Sequence, residues 1–217
     1  MYSPAHFEET RLEVLQGLMH AHPLAALVTL SPEGLTANHI PLHWQADGSR
    51  LGKLVGHVAR ANPVWQCSDP RTEVLVIFQG PDTYITPSWY ATKQDGGKVV
   101  PTWNYAVVHA HGPLVAKDDP QWVRAQLASM IAQHEASRSP PWALADAPRE
   151  FTERLLEAIV GIEIPIARLQ GKWKVSQNQP AQNRASVIAG LTDQGDANSS
   201  AMAALVAAHS PRQTHQP

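Results

Sequence analysis

Cysteine is nearly absent. Cys67 stands alone in 217 residues, so no intrachain disulfide can form and zinc sites built from several cysteines are excluded. No apolar run approaches the roughly 20 residues of a membrane helix, and the first residues, MYSPAHFEETRLEVLQG, carry early acids where a signal peptide would be apolar. A cytoplasmic protein in a reducing compartment, without a membrane partner, is expected. Charge of one sign is lacking as well: the formal net charge of -2 gives no chain-wide attraction for nucleic acid, so any basic site must be local. There is no Gly-rich nucleotide fingerprint and no nucleophile elbow around Ser88 or Ser176, and Cys67 has no base at a defined distance. His134-Glu135 lacks the second histidine of a metalloprotease helix, so hydrolytic chemistry is not expected.

What is present is a series of short apolar segments punctuated by turn formers. Residues 6–22 carry Leu12, Leu15, Leu18 and Met19 at helical spacing, with Glu8 and Glu9 near the start. Strands are expected at LAALVTL, LTANHIPLHW, RLGKLVGHVA, EVLVIFQG, TYITPSW and TWNYAVVHAHGPLVAK, most of them without an intervening helix. That order argues for an α+β, mainly antiparallel fold closed into a barrel with flanking helices. Helices follow at 121–135 and 150–159, joined by the Pro-rich SRSPPWALADAP. A last strand, GIEIPIARLQGKWKVS, and a short helix at 183–191 complete a single domain over 1–191. The remainder, 192–217, is poor in bulky side chains and is expected to be loosely held, with a helix at about 200–208 capped by Asn198 or Ser199.

Between residues 76 and 112 lie Tyr84, Trp89, Tyr90, Trp103 and Tyr105, interleaved with Thr86, Ser88, Thr102 and Asn104. Rings with polar tips beside short hydroxyl and amide groups suit a flat ligand whose edge forms hydrogen bonds, and a flavin fits. Two stretches contain no acid: 51–68, with Lys53, His57 and Arg60, and 168–192, with Arg168, Lys172, Lys174 and Arg184. Each reads either as an anion site or as a solvated strand. Strand alternation puts Lys172 and Lys174 on one face and Trp173 on the other, and Ser176, Gln177 and Asn178 follow where the strand ends. The stretch from 168 is also the one credible DNA contact, because neither helix at 121–135 or 150–159 presents a basic reading face. His109 with His111, and His39 with His43, share strand faces at bidentate spacing, but no Cys, Asp or Glu completes a ligand set, and no metal is expected.

The segments MYSPAHFEE, HPLAALVTL, NHIPLHW, GHVARANPVW, FQGPDTYITPSWYATK, GKVVPTWNYAVVHAHG, AIVGIEIPI and GKWKVSQN occur in an order that closely resembles the PaiB-type FMN-binding negative transcriptional regulators, over about residues 1–191. The resemblance implies a split β-barrel flavoprotein, homodimeric, with FMN in a groove between subunits. It implies cofactor contacts at Asn38, His39, Gly56, His57 and Arg60, with Lys172, Lys174 and Gln177 approaching from the last strand. Trp89, Tyr90, Trp103 and Asn104 match its aromatic motifs. It further implies a repressor that acts on DNA or through a regulatory partner. The alternatives are an FMN-dependent oxidoreductase with an indirect regulatory effect, and a heme-related protein of the same barrel.

Overall fold

The computed structural model describes residues 1–31, 34–66 and 72–209; Cys67 lies outside them. The chain forms two compact units, each assembled from separated stretches: Met1–Leu15 with Gln79–Val108 and Gln170–Pro217, and Gln16–Phe78 with His109–Leu169. Two long strands each supply one part to either unit.

The second unit opens on α1 (Leu12–Ala21), most of which belongs to it. Its strands are β2 (Leu24–Ser31), β3 (Gly34–Pro41), β4 (His43–Gln45), β5 (Lys53–Ala59), the first part of β6 (Glu73–Ile85), and β8 (Val115–Lys117) and β9 (Ile159–Pro165). β2 pairs antiparallel with β3, Leu27 facing Asn38 and Ala26 facing His39, and β6 lies on the other side of β2. A four-stranded antiparallel sheet takes the order β4-β5-β9-β8. The run expected as one strand at LTANHIPLHW breaks at Leu42, whose side chain is fully buried. β3 and β4 therefore enter different sheets, and His39 and His43 do not share a strand. Two helices belong here: α2 (Pro120–Glu135), capped by Asp119, whose carboxylate accepts from the Gln121 amide at 2.9 Å, and α3 (Arg149–Glu157). Leu42, Leu54, Phe78, Ile162 and Ile164 form the core.

The first unit has a short β1 (Glu8–Glu9), the rest of β6, the first part of β7 (Thr102–Pro113) and most of β10 (Arg168–Lys174), in the order β1-β10-β7-β6. EVLVIFQG and TYITPSW, read from sequence as two strands, are one: β6 continues through Gly80-Pro81-Asp82. Conversely GIEIPIARLQGKWKVS is two strands, because β9 ends at Pro165, which has no amide to extend a ladder.

The greatest departure is at the C-terminus. α4 (Ala181–Gln194) is followed by α5 (Ala197–Ala208), capped by Asp196 through the Ser199 amide at 2.9 Å. Met202, Ala203 and Val206 of α5 are buried, as are Val187 and Leu191 of α4. The loosely held tail expected from composition is therefore corrected for residues 197–208. Small residues leave little bulk but let helices approach closely, so a few larger side chains suffice to seal the contact. Residues 210–217 lie outside the described part.

Two outcomes are expected. Met202→Ala lowers unfolding free energy by about 2–5 kcal/mol, measured by denaturant titration. His43, buried in the second unit 5.1 Å from the His134 ring, is held below the usual histidine range by burial and then by His134. Its folded state therefore binds fewer protons than the unfolded chain. The stability tied to its neutral form is present above about pH 6.5 and lost as pH falls below it. His43→Leu flattens that acid limb of the stability profile.

Candidate functional site

In the first unit the aromatic stretch is positioned from α4. The Thr92 amide donates to Asn183 Oδ1 at 3.0 Å, and Asn183 Nδ2 donates to Thr92 Oγ1 at 3.0 Å. Trp89 lies against Gly190, where an added Cβ would come within 2.5 Å of the ring, so only glycine permits this approach. Thr86 caps the turn at Pro87–Trp89, accepting from the Ser88 amide at 3.2 Å. Trp89 is therefore half-buried as a packing group. Trp103 remains 54% exposed and meets Tyr84 edge to face at 6.0 Å, leaving an open aromatic surface.

Beside it lies a cleft of about 150 Å³ lined by Tyr90, Val100, Pro101, Thr102, Asn104, Lys174, Ser176, Asn178 and Gln179. Motifs distant in sequence, PSWY, VPTWNY and KWKVSQN, contribute to one wall. Asn104 is buried and donates through Nδ2 to Ser176 Oγ at 2.9 Å. Ser176 has φ 64°, a left-handed conformation that costs a non-glycine residue and re-aims the strand end. Gln177 closes that bend locally: its Oε1 accepts from the Val175 amide at 2.7 Å and its Nε2 donates to the Trp173 carbonyl. Burial raises the Tyr90 phenol above its ordinary range.

Lys174 supplies the charge. Its Nζ donates to the Trp103 carbonyl at 2.9 Å and to Thr102 Oγ1, and no carboxylate pairs with it among the described residues. Burial depresses its pKa, and the neighbouring charge of Lys172 depresses it further. Both effects penalise the cation and would be relieved by an anion. Lys172 itself is 8% exposed, donates to the Tyr2 carbonyl at 3.1 Å and stands 5.3 Å from the Tyr105 ring centroid. It is a buried cation–π group rather than a free ligand contact.

The candidates in the second unit are engaged differently. Asn38 Oδ1 accepts from Asn62 Nδ2 at 2.9 Å, while His39 is exposed on β3. Gly56 is buried where a Cβ would meet the Pro41 carbonyl at 2.7 Å, so it is there for close packing. His57 faces Gln126. Arg60 forks onto Asp118 at 2.7 and 2.9 Å and donates to the Glu157 and Ile159 carbonyls. Lys53 pairs with Glu163 at 2.7 Å. Lys53 and Arg60 of the acid-free stretch 51–68 thus pair with protein carboxylates brought from elsewhere in the chain. Sequence reasoning did not find Asp118 or Glu163 because their partners lie 58 and 110 residues away. Strand pairing was the only signal that could have revealed them.

The cations of the basic stretch 168–184 make contacts within the protein. Arg168 reaches Glu73 at 3.6 Å, Lys172 is buried, and Arg184 donates to the Gln179 carbonyl. Among the described residues no group of three or more His, Cys, Asp or Glu is placed to hold a metal ion, and no helix is long and apolar enough to cross a membrane.

The first-unit cleft is smaller than the roughly 300–1,000 Å³ that encloses a drug-sized ligand. One cation, four short polar side chains and Tyr90 suit one polar end of a flavin, with the exposed Trp103 and Tyr84 beside it. The residues fit FMN on those terms.

Comparisons with known proteins identify the family and the fold. Residues 1–168 match the family described as "Putative FMN-binding domain". The Bacillus subtilis "Protease synthase and sporulation protein PAI 2" is 31% identical, covering 95% of this chain and 96% of its own. An uncharacterized protein of Emericella nidulans is 36% identical over 90% of this chain and 92% of its own. Among solved structures, the FAD and heme binding protein from Mycobacterium smegmatis superposes with a TM-score of 0.58 at 16% identity, over 84% of this chain and 80% of that one. The flavocytochrome Anf3 from Azotobacter vinelandii gives 0.57 at 12% identity, over 77% and 69%. The α+β, mainly antiparallel split-barrel class read from the sequence is the fold observed.

Asn104→Ala strands the Ser176 hydroxyl and is expected to cost about 1–3 kcal/mol in denaturant unfolding, with Ser176→Ala giving a comparable loss and the double variant little more.

Proposed function

Because the chain belongs to the family described as an FMN-binding domain, we propose that it is a regulatory flavoprotein that holds FMN as a homodimer and lowers expression of its target genes. The observation that carries the flavin reading is the Lys174 cleft, which joins a desolvated cation without a carboxylate to the tyrosine, threonine and amide groups of three separate motifs. Lys174, Thr102, Asn104 and Tyr90 are assigned to one polar end of the cofactor, and Trp103 to its ring system. Asn38, His39, Gly56, His57, Arg60, Trp89, Lys172 and Gln177 are assigned supporting positions, with Arg60 able to reach a phosphate only by exchanging Asp118 for it. The dimer reading is supported by Leu24, Leu30 and Leu35, which are 61–77% exposed on β2 and β3.

A second reading has its own support. The cations of residues 168–184 are engaged by protein groups, which favours an effect transmitted through a small metabolite over direct reading of DNA. In that case the protein is an FMN-dependent oxidoreductase. Bound FMN would supply hydride chemistry, and this chain would supply placement and charge.

The protein as isolated is expected to be yellow, with a flavin absorption spectrum, and to sediment as a dimer. A colourless protein that takes up no added FMN would sink the flavin reading. Lys174→Ala weakens FMN retention by about 10–100-fold, the worth of a charge-assisted bond, and Arg60→Ala by less, because Asp118 already occupies it. Equal affinity in wild type and Lys174→Ala would remove the cleft from the assignment. Turnover of a nicotinamide nucleotide by the flavin-loaded protein selects the enzyme reading; salt-sensitive, sequence-selective DNA binding selects direct repression.

A further inference from the structure

The second unit contains a larger cavity, of about 350 Å³, that shares only His57 with the positions assigned to the flavin. It lies under the Pro-rich connection between α2 and α3. Its walls are Leu127 of α2, Trp142, Leu144 and Ala147 of the connection, and Phe151, Leu155 and Leu156 of α3. Trp142, Phe151 and Leu155 are 45%, 48% and 52% exposed, which is costly for three large apolar side chains that converge on one hollow.

The floor is not wholly apolar. His57 lines the cavity, and its ring faces Gln126, with Nδ1 3.1 Å from Oε1. With the Gln126 amide oxygen turned toward Nδ1, Nδ1 is the donor of this contact and Nε2 is left to accept. Nε2 makes no hydrogen bond among the described residues. Gln126 is 4% exposed, and its Nε2 is buried without a partner there. A buried donor left unpaired costs about 1–3 kcal/mol. His57 thus brings one polar ring edge to an otherwise mainly apolar hollow, with Gln126 behind it.

We propose that this cavity binds a small, flat, mainly apolar alcohol of the phenol class. The ring lies against Trp142 and Phe151, and the hydroxyl donates to His57 Nε2. A hydroxyl answers this ring edge, since it can donate to His57 Nε2. A purely apolar ligand would leave His57 unpaired. A carboxylate would set a charge against an acceptor nitrogen and a largely apolar wall. The connection was conspicuous in sequence only for its prolines; in the structure it forms the lid-side wall of a ligand site.

The test uses full-length protein, with and without FMN, titrated with 1-naphthol, 1-methoxynaphthalene and 1-naphthoate by calorimetry. Expected are one naphthol site per chain, binding at least tenfold weaker for the methyl ether and for the carboxylate, and unchanged naphthol affinity when FMN is present. Trp142→Ala and Phe151→Ala, both at partly exposed positions, should each weaken naphthol at least fivefold while circular dichroism and unfolding midpoint stay unchanged. Absence of binding, equal binding of naphthol and its methyl ether, or insensitivity to both substitutions overturns the proposal. So does displacement of FMN by naphthol, which would make the cavity a flavin subsite. Hydrogen exchange that shows 142–156 protected only by association of two copies would make it an interface instead.

Discussion

The carboxylate of Glu163 organises the four-stranded sheet of the second unit. It sits on the central strand β9, and both neighbours send a lysine to it: Lys53 from β5 at 2.7 Å and Lys117 from β8 at 3.3 Å. Burial alone would push its proton affinity up, but the two ammonium groups overcome this and hold the pKa below the ordinary range. Losing one partner would leave a half-buried charge under-compensated, so the triplet favours one register over a slip. The same arrangement decides where anions can go. Lys53 and Lys117 are spent on Glu163 and Arg60 on Asp118, whereas Lys174 of the first unit has no carboxylate partner among the described residues.

Much of the fold was legible because it rests on local pattern. Alternating apolar residues in LAALVTL and EVLVIFQG, and helical spacing in residues 121–135 and 150–159, need no distant partner to be recognised. Where the reading departs from the structure, a distant partner is responsible. Gly80-Pro81-Asp82 has the composition of a turn, yet β6 runs through it from Glu73 to Ile85. LTANHIPLHW and GIEIPIARLQGKWKVS look continuous, but Leu42 and Pro165 mark places where the chain changes sheet. The C-terminal helix is the plainest case. Its alanines promise helicity, but only the structure shows that Met202 and Val206 are buried.

The candidate site was legible in kind and less so in detail. The sequence draws attention to a ring-rich stretch and to lysines without nearby acids, and one of each converges on the cleft through Tyr90 and Lys174. Other rings serve packing: Trp89 fills the space that Gly190 vacates, and Tyr105 faces Lys172. A run without Asp or Glu says nothing about carboxylates that fold in from elsewhere, which is why Arg60 looked unpaired and forks onto Asp118. Gln126 carried no signal at all, since a lone amide on a helix becomes informative only when its surroundings show that it lacks a partner.

The boundary between the two units falls inside β6 and inside β7. Neither unit corresponds to one continuous stretch of coding sequence. A recombination event that exchanged a single segment would therefore never carry a whole unit by itself. The architecture can diversify through point substitution and through its loops, whereas inheritance of either half as a portable module is closed to it.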